Sequence, residues 1–381
     1  MHRVMIVTGE ASGDLHGAHL VAALKEMIPD LSVCGMGGKE LRGQGVEILY
    51  DAARMAVVGL VEVLAHLSDI RKAQKILEQE LRANPPDLLI LIDYPDFNLL
   101  LAAKARKLDI PIFYYISPQV WAWRSGRVKK IGRLVDRMAV ILPFEKEFYR
   151  KKGVEVDYVG HPLLDSVKKT LSRDKFCEVH GIAADHVLVG LLPGSRKKEI
   201  RSMLPVFLQT ITKLQTLHEK MTVLLPLALT LSVEDLYECG LDRDSAAIRV
   251  IIDNRYDLMG ACDLALATSG TVTLELAILD VPSVVSYKVS PLTWFIGNML
   301  VDVDFASLVN LVAGKEVVRE LLQKDATTDN LCAAMEEIWP GCKKRDQVLR
   351  ELSEVREKLG KGGASRRAAE IAISLSHRVT S

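Results

Sequence analysis

Short apolar runs of strand length alternate with helical patterns along most of the chain, and no other feature restricts the fold as much. Val4 to Thr8 precedes a helical pattern over Gly17 to Met27, and Leu88 to Ile92 precedes Leu99 to Leu108. Ile110 to Ile116 follows, then Met138 to Leu142 before Phe144 to Lys152, and Val156 to Val159 closes the series. Strands that alternate with helices predict a parallel sheet covered on both faces. The pattern weakens between Gly160 and Asp185, then restarts with Val187 to Leu192, Met221 to Leu225, Ile248 to Ile252, Leu264 to Thr268 and Ser283 to Tyr287. Two doubly wound α/β domains are therefore expected, with a boundary near 165 to 185 and a cleft between the carboxyl ends of their strands, where open sheets bind ligands. From Asp329 onward the chain reads as helices only. Gly362-Gly363 breaks them before a last amphipathic helix, Ala364 to Leu375. The expected domains are 1–170, 171–345 and a helical C-terminal region, 346–381.

With 381 residues the chain can bury a large core. Its 49 basic and 49 acidic residues leave no excess charge to cover a phosphate backbone, which argues against a general nucleic-acid binder. Six scattered cysteines with no CxxC pair suit a reducing compartment and argue against a zinc cluster. Met1 to Val7 leads into a strand without a signal-peptide core, and no uncharged stretch reaches the roughly 20 residues of a membrane span. The expectation is a cytoplasmic chain, soluble or peripheral on a membrane.

The most informative stretch is Asp263 to Val285. Leu264 to Thr268 has strand length, and Ser269-Gly270 breaks it ahead of a helical pattern ending near Asp280 and Pro282. Gly270 lets another group approach the backbone, while the free N–H groups of the new helix make an anion site for phosphate. Glu275 is the only charge between Leu264 and Leu279 and lies on the helix face of Thr271. A capping box would place its acid three residues after the cap, where Val272 and Leu274 stand instead, so Glu275 suits a ribose diol beside the phosphates. An acid favoured in a first turn by the helix dipole is the plainer alternative.

Other motifs sit at strand ends. Gly9-Glu10-Ala11-Ser12-Gly13-Asp14 opens the first helix as a turn for ligand approach or for packing, and it is neither a P-loop nor a GxGxxG. Asp93-Tyr94-Pro95-Asp96-Phe97-Asn98 puts two acids in a loop, as helix caps or as a general base on a hydroxyl. Ser117 to Trp123 carries two tryptophans ahead of Arg124, Arg127, Lys129, Lys130 and Arg133, which read as an anion or headgroup site or as a solvated basic helix. Leu192-Pro193-Gly194-Ser195-Arg196 sets a guanidinium beside a glycine turn, matching a diphosphate or a surface position. Met55 to Leu67 and Leu292 to Leu300 are apolar enough for buried helices, acyl grooves or membrane contact.

Together, GEASGD, DYPDFN, SPQVWAW, LPFEKEFY, VGHPLLD, LPGSR, SGTVTLE and LVNLVAGKEVVRELLQ closely resemble the lipid A disaccharide synthases, GT-B type glycosyltransferases, from about residue 4 to about residue 325. The chain departs from the usual pattern at Gln119, Val309 and Arg319. The resemblance implies two Rossmann-like domains facing each other across a cleft. It implies transfer of a 2,3-diacylglucosamine unit from UDP-2,3-diacylglucosamine to the 6-hydroxyl of 2,3-diacylglucosamine 1-phosphate, with inversion, giving a β-1,6-linked disaccharide and UDP. The expected general base is Asp96, with Asp93 as competitor. The expected substrate contacts are Ser12, Gly13, Asn98, Ser117, Trp121, Arg196, Ser269, Gly270, Thr271, Glu275, Asn310 and Gln323. No cofactor and no metal are expected, although Asp302-Val303-Asp304 has a D-x-D spacing. The expected partners are the two lipid substrates and the cytoplasmic face of a Gram-negative inner membrane, with a homodimer left open and no nucleic acid. Another GT-B enzyme, such as a UDP-N-acetylglucosamine epimerase, and a non-catalytic binder of nucleotide sugar or lipid are the rival readings.

Overall fold

The computed structural model describes residues 1–55, 67–121, 126–228, 230–242, 248–290 and 303–377. Two compact units are present, Met1–Pro162 with Lys361–Ser381, and Leu163–Gly360.

In the first unit, β1 (Arg3–Val7), β2 (Ser32–Gly37), β3 (Glu47–Asp51), β4 (Leu88–Ile92), β5 (Ile112–Tyr115), β6 (Arg137–Val140) and β7 (Asp157–Tyr158) form one sheet in the order β3-β2-β1-β4-β5-β6-β7. Every neighbouring pair is parallel. Helices cover both faces, so β4 is buried along its whole length and reads as an uninterrupted apolar run. One face packs Met5, Leu89, Leu91 and Tyr114 against Phe97, Leu101 and Leu77. The other packs Ile6, Ile90 and Phe113 against Leu20, Val21 and Leu24 of the helix Ala11–Met27.

In the second unit, β8 (Val187–Leu192), β9 (Met221–Pro226), β10 (Ile248–Ile251), β11 (Leu264–Thr268), β12 (Ser283–Tyr287) and β13 (Arg319–Leu322) form a second parallel sheet, ordered β10-β9-β8-β11-β12-β13. The chain winds outward from β8 to β10 and then returns to lay β11 on the other side of β8. That reversal is a topological switch point, the place where ligands bind in such sheets.

The sequence pattern located ten of these strands. It missed β2, β3 and β13, whose SVCGMG, EILYD and RELL mix small or charged residues into the run. The C-terminal helices also differ from expectation, since 346–381 is not a separate body. The helix Lys343–Lys358 lies in the second unit against the helix Thr271–Ile278, whereas Ala364–His377 joins the first unit. Ala368, Ala369, Ala372 and Leu375 pack there beside Leu20 and Leu24, small side chains allowing close helix approach. Arg367 anchors the helix by donating from Nε and Nη2 to the Val159 carbonyl at 2.9 and 2.6 Å.

Candidate functional site

At the carboxyl ends of β8, β9, β11 and β12 lies a cavity of about 450 Å3 at the switch point. Arg196 of LPGSR and Ser269, Gly270, Thr271 and Glu275 of SGTVTLE all line it, so two motifs more than 70 residues apart in the chain meet in one place. Gly194 and Arg196 also border it, the first at φ +116, where a Cβ would stand 2.6 Å from Glu199. Glu199 closes that turn by accepting from the backbone N–H groups of Ser195 (2.9 Å) and Arg196 (3.3 Å) and from Arg196 Nη1 (3.3 Å). The Arg196 side chain is otherwise largely in solvent, available to a ligand. Gly270, at φ 152, caps the helix Thr271–Ile278, and a Cβ there would meet nothing within 4 Å. Its glycine thus serves the backbone turn and leaves open space over the first N–H groups of the helix, which have no partner within a helix. Ser269 Oγ is turned away to donate to the Ala306 carbonyl at 2.7 Å.

Glu275 is buried, and its pairing is a feature the sequence reading missed. Its Oε1 accepts from Arg255 Nη2 at 3.0 Å and from the Tyr256 hydroxyl at 3.4 Å. Burial pushes its carboxyl up, and the Arg255 charge and the Tyr256 hydroxyl pull it back down. Arg255 begins the helix Arg255–Ala261 just after β10 and lines the same cavity. A lone arginine just past a strand's carboxyl end was the available signal.

Asn310 and Gln323 do not line this cavity. Asn310 is fully buried, with Oδ1 accepting from the N–H groups of Val317 (2.8 Å) and Val318 (3.0 Å) while Nδ2 donates to Val318 O and Glu320 Oε1. Gln323 holds the backbone of Val289 through both amide atoms, at 2.9 and 3.2 Å. Both amides brace the loops around β12 and β13.

In the first unit, the GEASGD turn is organised by packing. A Cβ on Gly9 would lie 2.3 Å from the Tyr94 ring, and Gly13 rests on Thr8 and Ile92. Ser12 is exposed, and Asp14 accepts from the N–H groups of Gly38 (2.6 Å) and Glu40 (2.8 Å), capping the helix Lys39–Gly43.

The two acids of DYPDFN have different surroundings. Asp93 and Tyr94 are both left-handed, at φ 43 and 47, an uncommon pair of non-glycine residues at a strand end. Burial, and secondarily the charge of Glu10, lifts the Asp93 carboxyl to about 6. Asp96 is 73 % exposed and ion-paired with Arg127. It does not cap a helix beginning at Phe97, because the helix Pro95–Arg106 starts earlier and Asp96 lies inside its first turn. Asn98 is fully buried and bonds backbone rather than solvent.

Ser117 and Trp121 are likewise buried. Ser117 Oγ is 2.5 Å from the Tyr149 hydroxyl, and Trp121 Nε1 donates to Glu145 at 3.2 Å. The SPQVWAW and LPFEKEFY motifs therefore interlock, and burial lifts the Glu145 carboxyl to about 7 against the pull of the Leu142 and Ile141 N–H groups and the Trp121 indole. Trp123, Arg124, the core of the apolar stretch 55–67, the stretch 292–300 and Asp302 lie outside the described residues. Among the described residues no group of three potential metal ligands occurs and no helix is long and apolar enough to cross a membrane.

Residues 4–373 match the family described as Lipid-A-disaccharide synthetase. The lipid-A-disaccharide synthase of Geobacter sulfurreducens is 49% identical over 378 residues, covering 98% of this chain and 97% of that protein. The chain belongs to this family. A second member, from Nitrosococcus oceani, is 44% identical over 372 residues, covering 98% of this chain and 96% of that protein. Membership makes the chain a UDP-sugar glycosyltransferase enzyme of lipid A disaccharide formation. Among solved structures, the glycotransferase of kitacinnamycin superposes with a TM-score of 0.68 at 15% identity, covering 98% of both chains. S. aureus MnaA in complex with UDP superposes with a TM-score of 0.67 at 16% identity, covering 100% of this chain and 97% of that one. These likenesses establish the GT-B type of α/β fold within the family.

Proposed function

We propose that this family member transfers 2,3-diacylglucosamine from its UDP derivative to the 6-hydroxyl of 2,3-diacylglucosamine 1-phosphate by a single inverting displacement. The products are the β-1,6-linked disaccharide 1-phosphate and UDP. The observation that carries the mechanism is Asp93, an acid at the end of β4 whose carboxyl is lifted to about 6. A general base works best with a pKa near the operating pH, because it is then ionised yet holds the proton it receives. Asp93 takes the proton of the attacking hydroxyl. Asp96, exposed and held by Arg127, is the weaker of the two acids for this role.

In the second unit, Arg196 and the N–H groups at the start of the helix Thr271–Ile278 neutralise the diphosphate as its bond to the sugar breaks, and Glu275 accepts from the ribose hydroxyls. The basic, exposed face of the helix Arg127–Leu134, bearing Lys129, Lys130 and Arg133, supports attachment to the anionic cytoplasmic surface of the inner membrane.

The test is a two-substrate assay. UDP release from the acylated donor is expected only when the 1-phosphate acceptor is added, with the disaccharide formed in equal amount. Release without acceptor would point to hydrolysis, and no release at all to a binding protein or to an epimerase, whose product keeps its UDP.

A further inference from the structure

We propose that Arg255 is a positioning residue of the nucleotide site, holding one oxygen of Glu275 together with Tyr256 so that the other oxygen is presented to the ribose diol. This inference rests on the reading of Glu275 as the ribose acceptor.

The geometry divides the carboxylate in two. Oε1 takes both bonds, from Arg255 Nη2 at 3.0 Å and from the Tyr256 hydroxyl at 3.4 Å, whereas Oε2 accepts none among the described residues. The two holders are themselves braced. The Arg255 guanidinium lies over the Tyr256 ring, 4.6 Å from its centroid, and donates to the Tyr256 hydroxyl at 2.6 Å. A plane formed at the end of β10 thus seizes a carboxylate supplied by another helix, 20 residues on.

The chemistry explains why a cation is needed. The Glu275 side chain is only 9% exposed, and a buried carboxylate lacking a countercharge tends to take up a proton. A protonated carboxyl has an O–H to donate, which suits a pair of ribose hydroxyls poorly, whereas an ionised oxygen accepts from both. Arginine suits the task because its Nη2 donates to both the Tyr256 hydroxyl and Glu275 Oε1 while the flat guanidinium lies over the Tyr256 ring, a stacking that a lysine ammonium, which has no plane, does not offer. The Arg255 side chain is itself 58% exposed, so a direct contact with the diphosphate is the competing role.

Calorimetric titration of UDP and of 2′,3′-dideoxy-UDP into the full chain separates these roles. The wild type is expected to prefer UDP by roughly tenfold or more, the value of a charge-assisted bond. In Arg255→Ala this preference should shrink to about two- or threefold, and Arg255→Lys should recover part of it. Arg255→Gln serves the same purpose if the alanine variant does not fold. If the arginine variants bind both nucleotides more weakly by the same factor, Arg255 touches the diphosphate instead. If they keep the wild-type preference with only a lower Tm, its role is structural, and either result overturns the inference. Glu275→Gln is the control. It should lose the preference as well, and if it does not, the ribose reading fails and the inference fails with it.

Discussion

Asn98 Nδ2 donates to two consecutive backbone carbonyls, those of Ile92 at 3.1 Å and Asp93 at 2.7 Å. The Tyr114 hydroxyl donates to the same Asp93 carbonyl, so the left-handed Asp93-Tyr94 turn is clamped from two elements. Asn98 therefore supports the proposed base through the backbone. Each neutral bond is worth about 1 kcal/mol, so Asn98→Ala should cost about 2 kcal/mol and lower turnover by loosening Asp93. Thermal unfolding and steady-state kinetics check this together. A variant with unchanged Tm and turnover would show that the clamp is unimportant.

Asp93→Asn should reduce turnover by roughly 100-fold or more, since Asn tolerates the left-handed conformation but cannot take a proton. In the wild type, kcat/KM should rise with pH and level off above about 6, as the carboxyl ionises. The stability change has the opposite sense from an ordinary ion-paired acid. Because the folded carboxyl titrates above its usual value, folding stability is lost as pH rises from about 4 to about 6. Asp93→Asn removes that loss, so the variant should melt higher than wild type at pH 7 and converge with it near pH 4. Asp96→Asn should leave turnover near normal, and a collapse there instead would return the role to Asp96.

Gly9→Ala places a methyl group 2.3 Å from the Tyr94 ring. Overpacking of this kind costs about 1–3 kcal/mol, and the displaced ring belongs to the residue next to Asp93, so activity should fall too. The same change made in a Tyr94→Gly background should cost little, because the clash has gone. Equal costs in both backgrounds, measured by denaturant unfolding, would place the constraint elsewhere.

Lys129→Ala/Lys130→Ala/Arg133→Ala should weaken sedimentation with anionic vesicles, each cation contributing about 1 kcal/mol near the surface. Wild-type binding should also weaken with added salt, since these residues stand in solvent. Equal sedimentation of both proteins would exclude this helix as the anchor.

How much of this was legible beforehand follows from what a linear pattern encodes. Leu88–Ile92 and Val187–Leu192 are buried on both faces, so each appears as an unbroken apolar run and could be bounded directly, and Leu264–Thr268 does the same up to its closing threonine. The glycine turn before Thr271 and the isolated charge of Glu275 likewise announce themselves, because a tight strand-to-helix turn and a charge among apolar residues need local explanation. Side-chain partners carry no such mark. Asn310 and Gln323 looked like pocket residues until the placement of β13 beside β12 gave their amides backbone to hold. The interlock of Ser117 with Tyr149, and of Trp121 with Glu145, depends on the pairing of β5 with β6. The preference for Asp93 over Asp96 came from burial, and the Arg255–Glu275 pair from β8 standing between β9 and β11 in the sheet. Local propensity and hydrophobic period determine strands, turns and fold class. Which atom meets which is decided by strand order, since only the assembled sheet brings together residues that the chain keeps far apart.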